Sequence, residues 1–111
     1  MEVNLILALL WTHWIFDFVL QTDKMALNKS TSVLALGSHC VVYTIGMAFF
    51  GVWFGIINGV AHFAIDFVTS RVTSYLWQKK DRHNFFVTIG FDQALHLTVL
   101  LYSAVYFGMT L

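Results

Sequence analysis

The sequence has 111 residues, of which 59% are hydrophobic and only 11% are charged, and its net charge is zero. A soluble domain is nearer a quarter charged, so this composition indicates a single polytopic membrane domain over residues 1–111. Zero net charge argues against nucleic-acid binding, which needs a basic surface. The single cysteine, Cys40, excludes an intrachain disulfide and a cysteine-rich zinc site.

Four apolar stretches follow one another along the chain, and each approaches or exceeds the roughly 18–20 residues that a bilayer requires. The stretches are continuous and do not alternate with polar residues, which excludes barrel strands. No Lys or Arg and no cleavage site accompanies the first stretch, so we interpret it as a retained helix and not a signal peptide. The sequence therefore predicts an all-α, four-helix transmembrane bundle with helices at about 3–20, 32–50, 54–77 and 85–109.

The basic residues predict the orientation of this bundle. With four spans, the loops at 21–31 and 78–84 lie on the same side of the membrane. All six basic residues lie in or near these two loops: Lys24, Lys29, Arg71, Lys79, Lys80 and Arg82. The positive-inside rule makes this side cytoplasmic, so the sequence predicts a multi-pass protein of the bacterial inner membrane with both termini outside.

Three His/Asp pairs lie within the apolar stretches, and the two residues of each pair are four positions apart. On an α-helix this spacing places both side chains on one face, about one turn apart. Two pairs have the same order and lie in helices of the same direction, which favours a pseudo-twofold repeat of helix pairs. The pairs are His13 with Asp17, His62 with Asp66, and, in reverse order, Asp92 with His96.

Depth in the membrane brings these pairs together. At about 1.5 Å of rise per residue, they lie with His39 in one layer of the cytoplasmic half. Ionisable groups in hydrocarbon are costly and mark functional sites by default. The seven predicted ligands are His13, Asp17, His39, His62, Asp66, Asp92 and His96, which are of the types that zinc, manganese and iron prefer.

A divalent metal would offset the repulsion between three carboxylates. Among the Lys and Arg residues we expect only Arg71 to reach the edge of this layer. Seven ligands exceed one tetrahedral site, so either two ions bind or some residues orient the others.

Metal-dependent hydrolysis at the cytoplasmic side or the inner leaflet is the function this layer favours, with a lipid headgroup or a phosphoester as substrate. We expect His39 and Gln93 to be catalytic residues, with His39 as a ligand or a general base and with Gln93, like Gln21, orienting ligands or substrate. Two alternatives remain open. Asp and His chains also form proton or ion paths, including those of a phage effector of the host membrane, and a polar network can simply stabilise a bundle. Gly51, Gly55 and Gly59 allow close helix contact, including a homodimer.

The arrangement of these motifs resembles a family of small bacterial and phage integral membrane proteins of uncharacterised function. The matching residues run from about 10 to about 100: His13…Asp17-Phe18-x-x-Gln21-Thr22-Asp23, Met25-Ala26-x-Asn28-Lys29, His39, His62-x-x-x-Asp66 and Asp92-Gln93-x-x-His96. The chain is more distantly similar to predicted membrane-bound metal-dependent hydrolases. This resemblance implies an intramembrane metal site, a phage or bacterial origin, and a role for residues 21–29 in covering the site.

Overall fold

The computed structural model describes residues 2–110, which form an all-α bundle, and no strand occurs in that range. The predicted fold class is therefore confirmed at this level. The first helix, α1, continues directly into a π-helical segment, here called the π turn. The elements are α1 (Val3–Trp14), the π turn (Ile15–Val19), α2 (Asp23–Asn28), α3 (Val33–Ala48), α4 (Val52–Gln78) and α5 (Arg82–Tyr106).

Only α4 and α5 are long and apolar enough to cross a membrane, with 27 and 25 residues and a mean hydropathy of 1.4 each. The helical segment Val3–Val19 and α3 are apolar but shorter. Two of the four predicted spans therefore have the length of a full membrane span, and the other two do not. The first and second predicted spans end earlier than expected because the chain turns after Val19 and again before Gly51, whose φ is 153°.

Side-chain caps set three of the helix starts. Thr22, Ser32 and Asp81 each accept a hydrogen bond from the backbone N–H three residues further on, which satisfies a donor that the first turn leaves free. Asp81 thereby starts α5 three residues before the predicted position, and Thr22 starts α2, which was not predicted. Hydrogen bonds from the Asn84 side chain and backbone hold the pKa of the Asp81 carboxyl below its usual range.

A tight turn joins α4 to α5. Lys80 adopts a left-handed conformation with φ of 63°. The backbone N–H of Asp81 donates to the Leu76 carbonyl and that of Lys80 to the Trp77 carbonyl, both at 3.0 Å, which is a Schellman arrangement. Because the turn is this short, α4 and α5 lie antiparallel as neighbours.

Two glycines allow α4 to approach α3 closely. A Cβ atom at Gly59 would collide with Oγ1 of Thr44, and one at Gly55 would lie 2.6 Å from the backbone nitrogen of Ala48. These glycines therefore serve a contact within the chain. The predicted homodimer stays a prediction.

The bundle has an apolar half and a polar half. α4 packs against α3 and α5, α1 packs against α3 and α5, and α2 lies against α3. Large apolar side chains such as Leu34 and Phe49 point outward and are more than 80% exposed. The residues we call the apolar cluster fill the half that contains the start of α1: Leu5, Leu9, Tyr43, Met47, Phe54, Leu100 and Ala104.

Candidate metal centre

Four of the predicted ligands meet in the buried polar half. Asp17 comes from the π turn, His39 from α3, and His62 and Asp66 from α4. All four are buried, and each offers a ligand atom within 4.8 Å of the other three. We call this set the four-residue centre. The sequence predicted this juxtaposition from helix depth.

Five of the six distances between the ligand atoms of the four-residue centre are close to the edge of a small tetrahedron, and all the ligand atoms lie within 4.8 Å of one another. His39 Nε2 lies 3.0 Å from His62 Nε2 and 2.9 Å from Asp17 Oδ1. Asp66 Oδ2 lies 3.6 Å from His39 Nε2 and 3.3 Å from His62 Nε2, which is also 3.3 Å from Asp17 Oδ1. Zinc bonds of about 2.0–2.1 Å in tetrahedral geometry separate ligands by about 3.4 Å. These residues therefore fit a zinc-sized ion.

Both imidazoles direct the same nitrogen to the centre. Nε2 of His39 and of His62 faces the carboxylates, whereas Nδ1 of each is buried and has no hydrogen-bond partner among residues 2–110. Stacking fixes the His62 ring instead, because it lies between Tyr43 at 4.2 Å and His96 at 4.1 Å. His39 does not line the cavity of about 460 Å³ that lies beside the four-residue centre. Its position therefore favours the predicted role of ligand over that of general base.

The third predicted pair lies directly beside this centre. Nε2 of His96 is 2.9 Å from Asp66 Oδ1 and 3.2 Å from Asp92 Oδ1. Thr69 Oγ1 in turn lies 2.5 Å from Asp92 Oδ1. Asp66, Asp92 and His96 thus form a second group of three donors with ligand atoms within 4.8 Å of one another.

His13 is close to the centre but has other partners. Its Nδ1 lies 2.8 Å from the Tyr43 hydroxyl, and its Nε2 lies 2.8 Å from Oε1 of Gln93. Nε2 is also 3.5 Å from Asp17 Oδ2. Because an amide oxygen can only accept, Nε2 carries the proton and Nδ1 accepts from Tyr43. We therefore assign His13 a positioning role, which differs from the predicted role of ligand.

Gln93 links the two groups of carboxylates. Its Nε2 donates to Asp17 Oδ2 at 3.3 Å and to Asp92 Oδ2 at 3.1 Å, while its oxygen accepts from His13. Both amide hydrogens and one oxygen lone pair are used. This side chain can therefore hold two carboxylates in position, and its predicted catalytic role stays a prediction.

The π turn makes the two HxxxD motifs unequal. The N–H of Leu20 donates to the Ile15 carbonyl at 2.9 Å, five residues back, and this wider turn carries Asp17. The corresponding Asp66 lies on a regular α-helix. Consequently His62 faces the centre while His13 faces Tyr43 and Gln93. Such π segments often occur at functional sites.

Lys29 is the cation that reaches this layer, where the sequence had predicted at most Arg71. Nζ of Lys29 lies 3.5 Å from Asp66 Oδ2. Arg71 instead donates to the Phe67 carbonyl and stacks on the Phe67 ring at 3.7 Å. The expectation failed because Lys29 follows the unpredicted helix α2, which turns the polar segment back over the bundle.

A cavity of about 460 Å³ adjoins the centre on the side of the basic residues. Asp17, Asp66 and Asp92 line its inner end, and its outer part is lined by Ala26 and Leu27 of α2 and by Lys29, which follows α2. One face of α4 forms a wall about 18 Å long from Asp66 to Gln78, at about 1.5 Å per residue. The apolar wall consists of Phe18, Leu27, Trp77, Phe85 and Ile89.

Four hydroxyl side chains that α4 directs to this cavity were not predicted from the sequence. Thr69, Ser70, Thr73 and Ser74 line it together. Their spacing of three and four residues beyond Asp66, on one helical face, is the signal that could have revealed them. Oγ of Ser70 is buried and has no partner within the described range 2–110, and the same holds for Oε1 of Gln21. Polar atoms of this kind are available to a bound molecule.

Comparison with known proteins places the chain in a family. Residues 5–111 match the model of the family described as Protein of unknown function (DUF3307). The chain belongs to this DUF3307 family. No curated protein and no solved structure matches it. Membership of an uncharacterised family is thus confirmed, whereas similarity of the DUF3307 chain to membrane-bound hydrolases stays a prediction.

Proposed function

We propose that this protein is an integral membrane hydrolase that depends on a divalent metal bound at the four-residue centre. The observation that carries the proposal is the convergence of two imidazole nitrogens and two carboxylate oxygens, in which each nitrogen lies 2.9–3.6 Å from both oxygens. Zinc suits this donor set best, and manganese or iron accepts the same ligand types.

The charge of the buried layer supports a cation there. Asp17, Asp66 and Asp92 bring three carboxylates to one layer, and Lys29 offers one ammonium group in return. Two negative charges stay uncompensated if the histidines are neutral. Burial of unpaired charge is costly, so a divalent ion would stabilise the layer.

The distribution of side chains supports a membrane environment. Histidines and aspartates are buried, whereas large apolar side chains cover the outside of the bundle. Contiguous exposed apolar surface marks a membrane or a partner. We infer that α4 and α5 cross the bacterial inner membrane and that the shorter α1 and α3 cross with them as a four-helix unit. The positive-inside rule then places the cavity at the cytoplasmic side and both termini outside.

The cavity supports catalysis over a purely structural role. A divalent ion supplies Lewis-acid activation of water and of the scissile bond. The side chains of the protein orient the ligands and bind the substrate: Gln93 orients two carboxylates, and the hydroxyls of α4 offer hydrogen bonds to a substrate. With Lys29 on one side and an apolar wall on the other, the cavity suits an amphipathic substrate, such as a lipid headgroup or another phosphoester.

The other end of the bundle supports a hydrolase over proton or ion translocation. Beyond the His/Asp layer lies the apolar cluster. Asn58 and Ser103, the buried polar pair there, hydrogen bond to each other at 2.9 Å. A translocation path needs polar or water-filled continuity to the far side, which this packing does not favour.

Metal content and hydrolysis, measured on one preparation, test the proposal. Detergent-purified protein should contain at least one zinc, manganese or iron ion per chain by elemental analysis. It should also hydrolyse nitrophenyl phosphate esters or phospholipid vesicles, and EDTA should abolish this activity. Protein without stoichiometric metal would overturn the metal centre. Metal-loaded protein that hydrolyses neither class of ester, but carries protons in liposomes, would replace the hydrolase with the translocator.

A further inference from the structure

The Asp66 carboxylate faces two different sets of donors. Its Oδ2 lies 3.3 Å from His62 Nε2 within the four-residue centre. Its Oδ1 lies 2.9 Å from His96 Nε2. A carboxylate that presents each oxygen to a separate imidazole has the arrangement of a bridging ligand.

The two imidazoles on Asp66 are stacked. The His62 and His96 rings lie 4.1 Å apart with an interplanar angle of 25°. Two-metal hydrolytic sites have their ions about 3.5–4 Å apart. The separation of the two rings is close to this distance, so the stacking is compatible with a two-metal site.

Asp92 completes the second set of donors. Its Oδ1 lies 3.2 Å from His96 Nε2. Thr69 Oγ1 also donates to this oxygen, so Asp92 Oδ1 accepts a hydrogen bond within the chain and keeps a further lone pair that can face an ion. Nε2 of Gln93 donates to the other Asp92 oxygen at 3.1 Å, so a hydrogen bond holds this carboxylate in position.

We propose that Asp66 Oδ1, Asp92 Oδ1 and His96 Nε2 bind a second divalent ion, with Asp66 bridging it to the first. This inference rests on the metal centre of the proposed function and assigns the two sites different roles. The first has four protein donors, which complete a tetrahedral coordination. The second has three and therefore keeps a free position, and both sites adjoin the cavity, which Asp17, Asp66 and Asp92 line. Three protein ligands with a free position are typical of catalytic sites, so the second ion faces the substrate.

Manganese-loaded protein tests the bridge independently of activity. Purified protein should bind two manganese ions per chain, and their electron paramagnetic resonance should show the coupled spectrum of a carboxylate-bridged pair. His96→Gln should reduce the content to one ion and give the six-line spectrum of isolated manganese. His83→Gln alters an exposed histidine outside both groups and should keep two coupled ions.

If His96→Gln does not fold, the manganese content and the spectrum of the wild-type protein test the second site. Two coupled ions support the second site, and a single uncoupled ion overturns it while leaving the four-residue centre intact. No bound ion overturns both proposals. Asp92→Asn is the second variant, because it keeps the shape of the side chain, and retention of two coupled ions in Asp92→Asn would also refute the site.

Discussion

Asp17→Asn should remove most of the stability that this protein gains from metal. Asp17 supplies one oxygen of the four-residue centre, 2.9 Å from His39 and 3.3 Å from His62, and it is 4% exposed. Removing one partner of a buried charged set costs about 3–5 kcal/mol. At about 1.4 kcal/mol per tenfold change, metal affinity should fall by at least 100-fold.

The expected loss of stability follows from the linkage between metal binding and unfolding. Free metal at about 1,000 times the dissociation constant stabilises the wild-type fold by about 4 kcal/mol. At the same concentration, a variant with 100-fold weaker binding gains at most about 1.4 kcal/mol. Denaturant unfolding in mild detergent, in buffered zinc and in EDTA, measures both gains. Asp23→Asn, an exposed carboxylate of α2, is the matched control and should behave like wild type.

Two results would refute this reasoning. If wild-type protein unfolds at the same denaturant concentration in zinc and in EDTA, the four-residue centre binds no metal. If Asp17→Asn keeps the full metal-dependent gain, Asp17 is not a ligand, and the tetrahedral spacing has another cause.

Three further predictions concern the surroundings of the centre. Gln93→Leu should weaken metal binding by about 10–100-fold, because both carboxylates lose their orienting donor, and a competition titration with a zinc chelator measures it. Lys80→Gly should raise the free energy of unfolding by about 1 kcal/mol in denaturant unfolding, because glycine adopts the left-handed conformation without a steric cost. Thr73→Val should raise KM for the hydrolysed ester and leave metal content unchanged, whereas Thr98→Val, outside the cavity, should alter neither.

The sequence was sufficient to predict which residues meet in the layer. Spacing by four residues sets the face of each helix, and the predicted direction of each helix places His39 and the three pairs at one expected level. Both properties are local to a helix or follow from the chain's direction. The meeting of Asp17, His39, His62 and Asp66 could therefore be predicted before any packing was known.

The division of roles within the layer could not be predicted in the same way. The rotation of one helix against another depends on contacts such as Phe16 against Gly46, which only packing reveals. The π turn changes where Asp17 points, and no residue pattern marks it. Lys29 reaches Asp66 because α2 folds back over the bundle, and the sequence indicated a loop there. His13 was assigned as a ligand for the same reason: its helical face was known, but its partners were not.

The apolar cluster and the cavity together give the bundle two unlike ends, and this has a consequence for exchange with solvent. Hydrated ions and chelators can approach the His/Asp layer through the cavity, while the apolar cluster closes the opposite approach. In sealed membrane vesicles, the orientation of the protein would therefore decide whether an added chelator can extract the metal. EDTA should remove the metal from protein whose lysine-bearing loops face the outside of the vesicle. Protein of the opposite orientation should keep its metal.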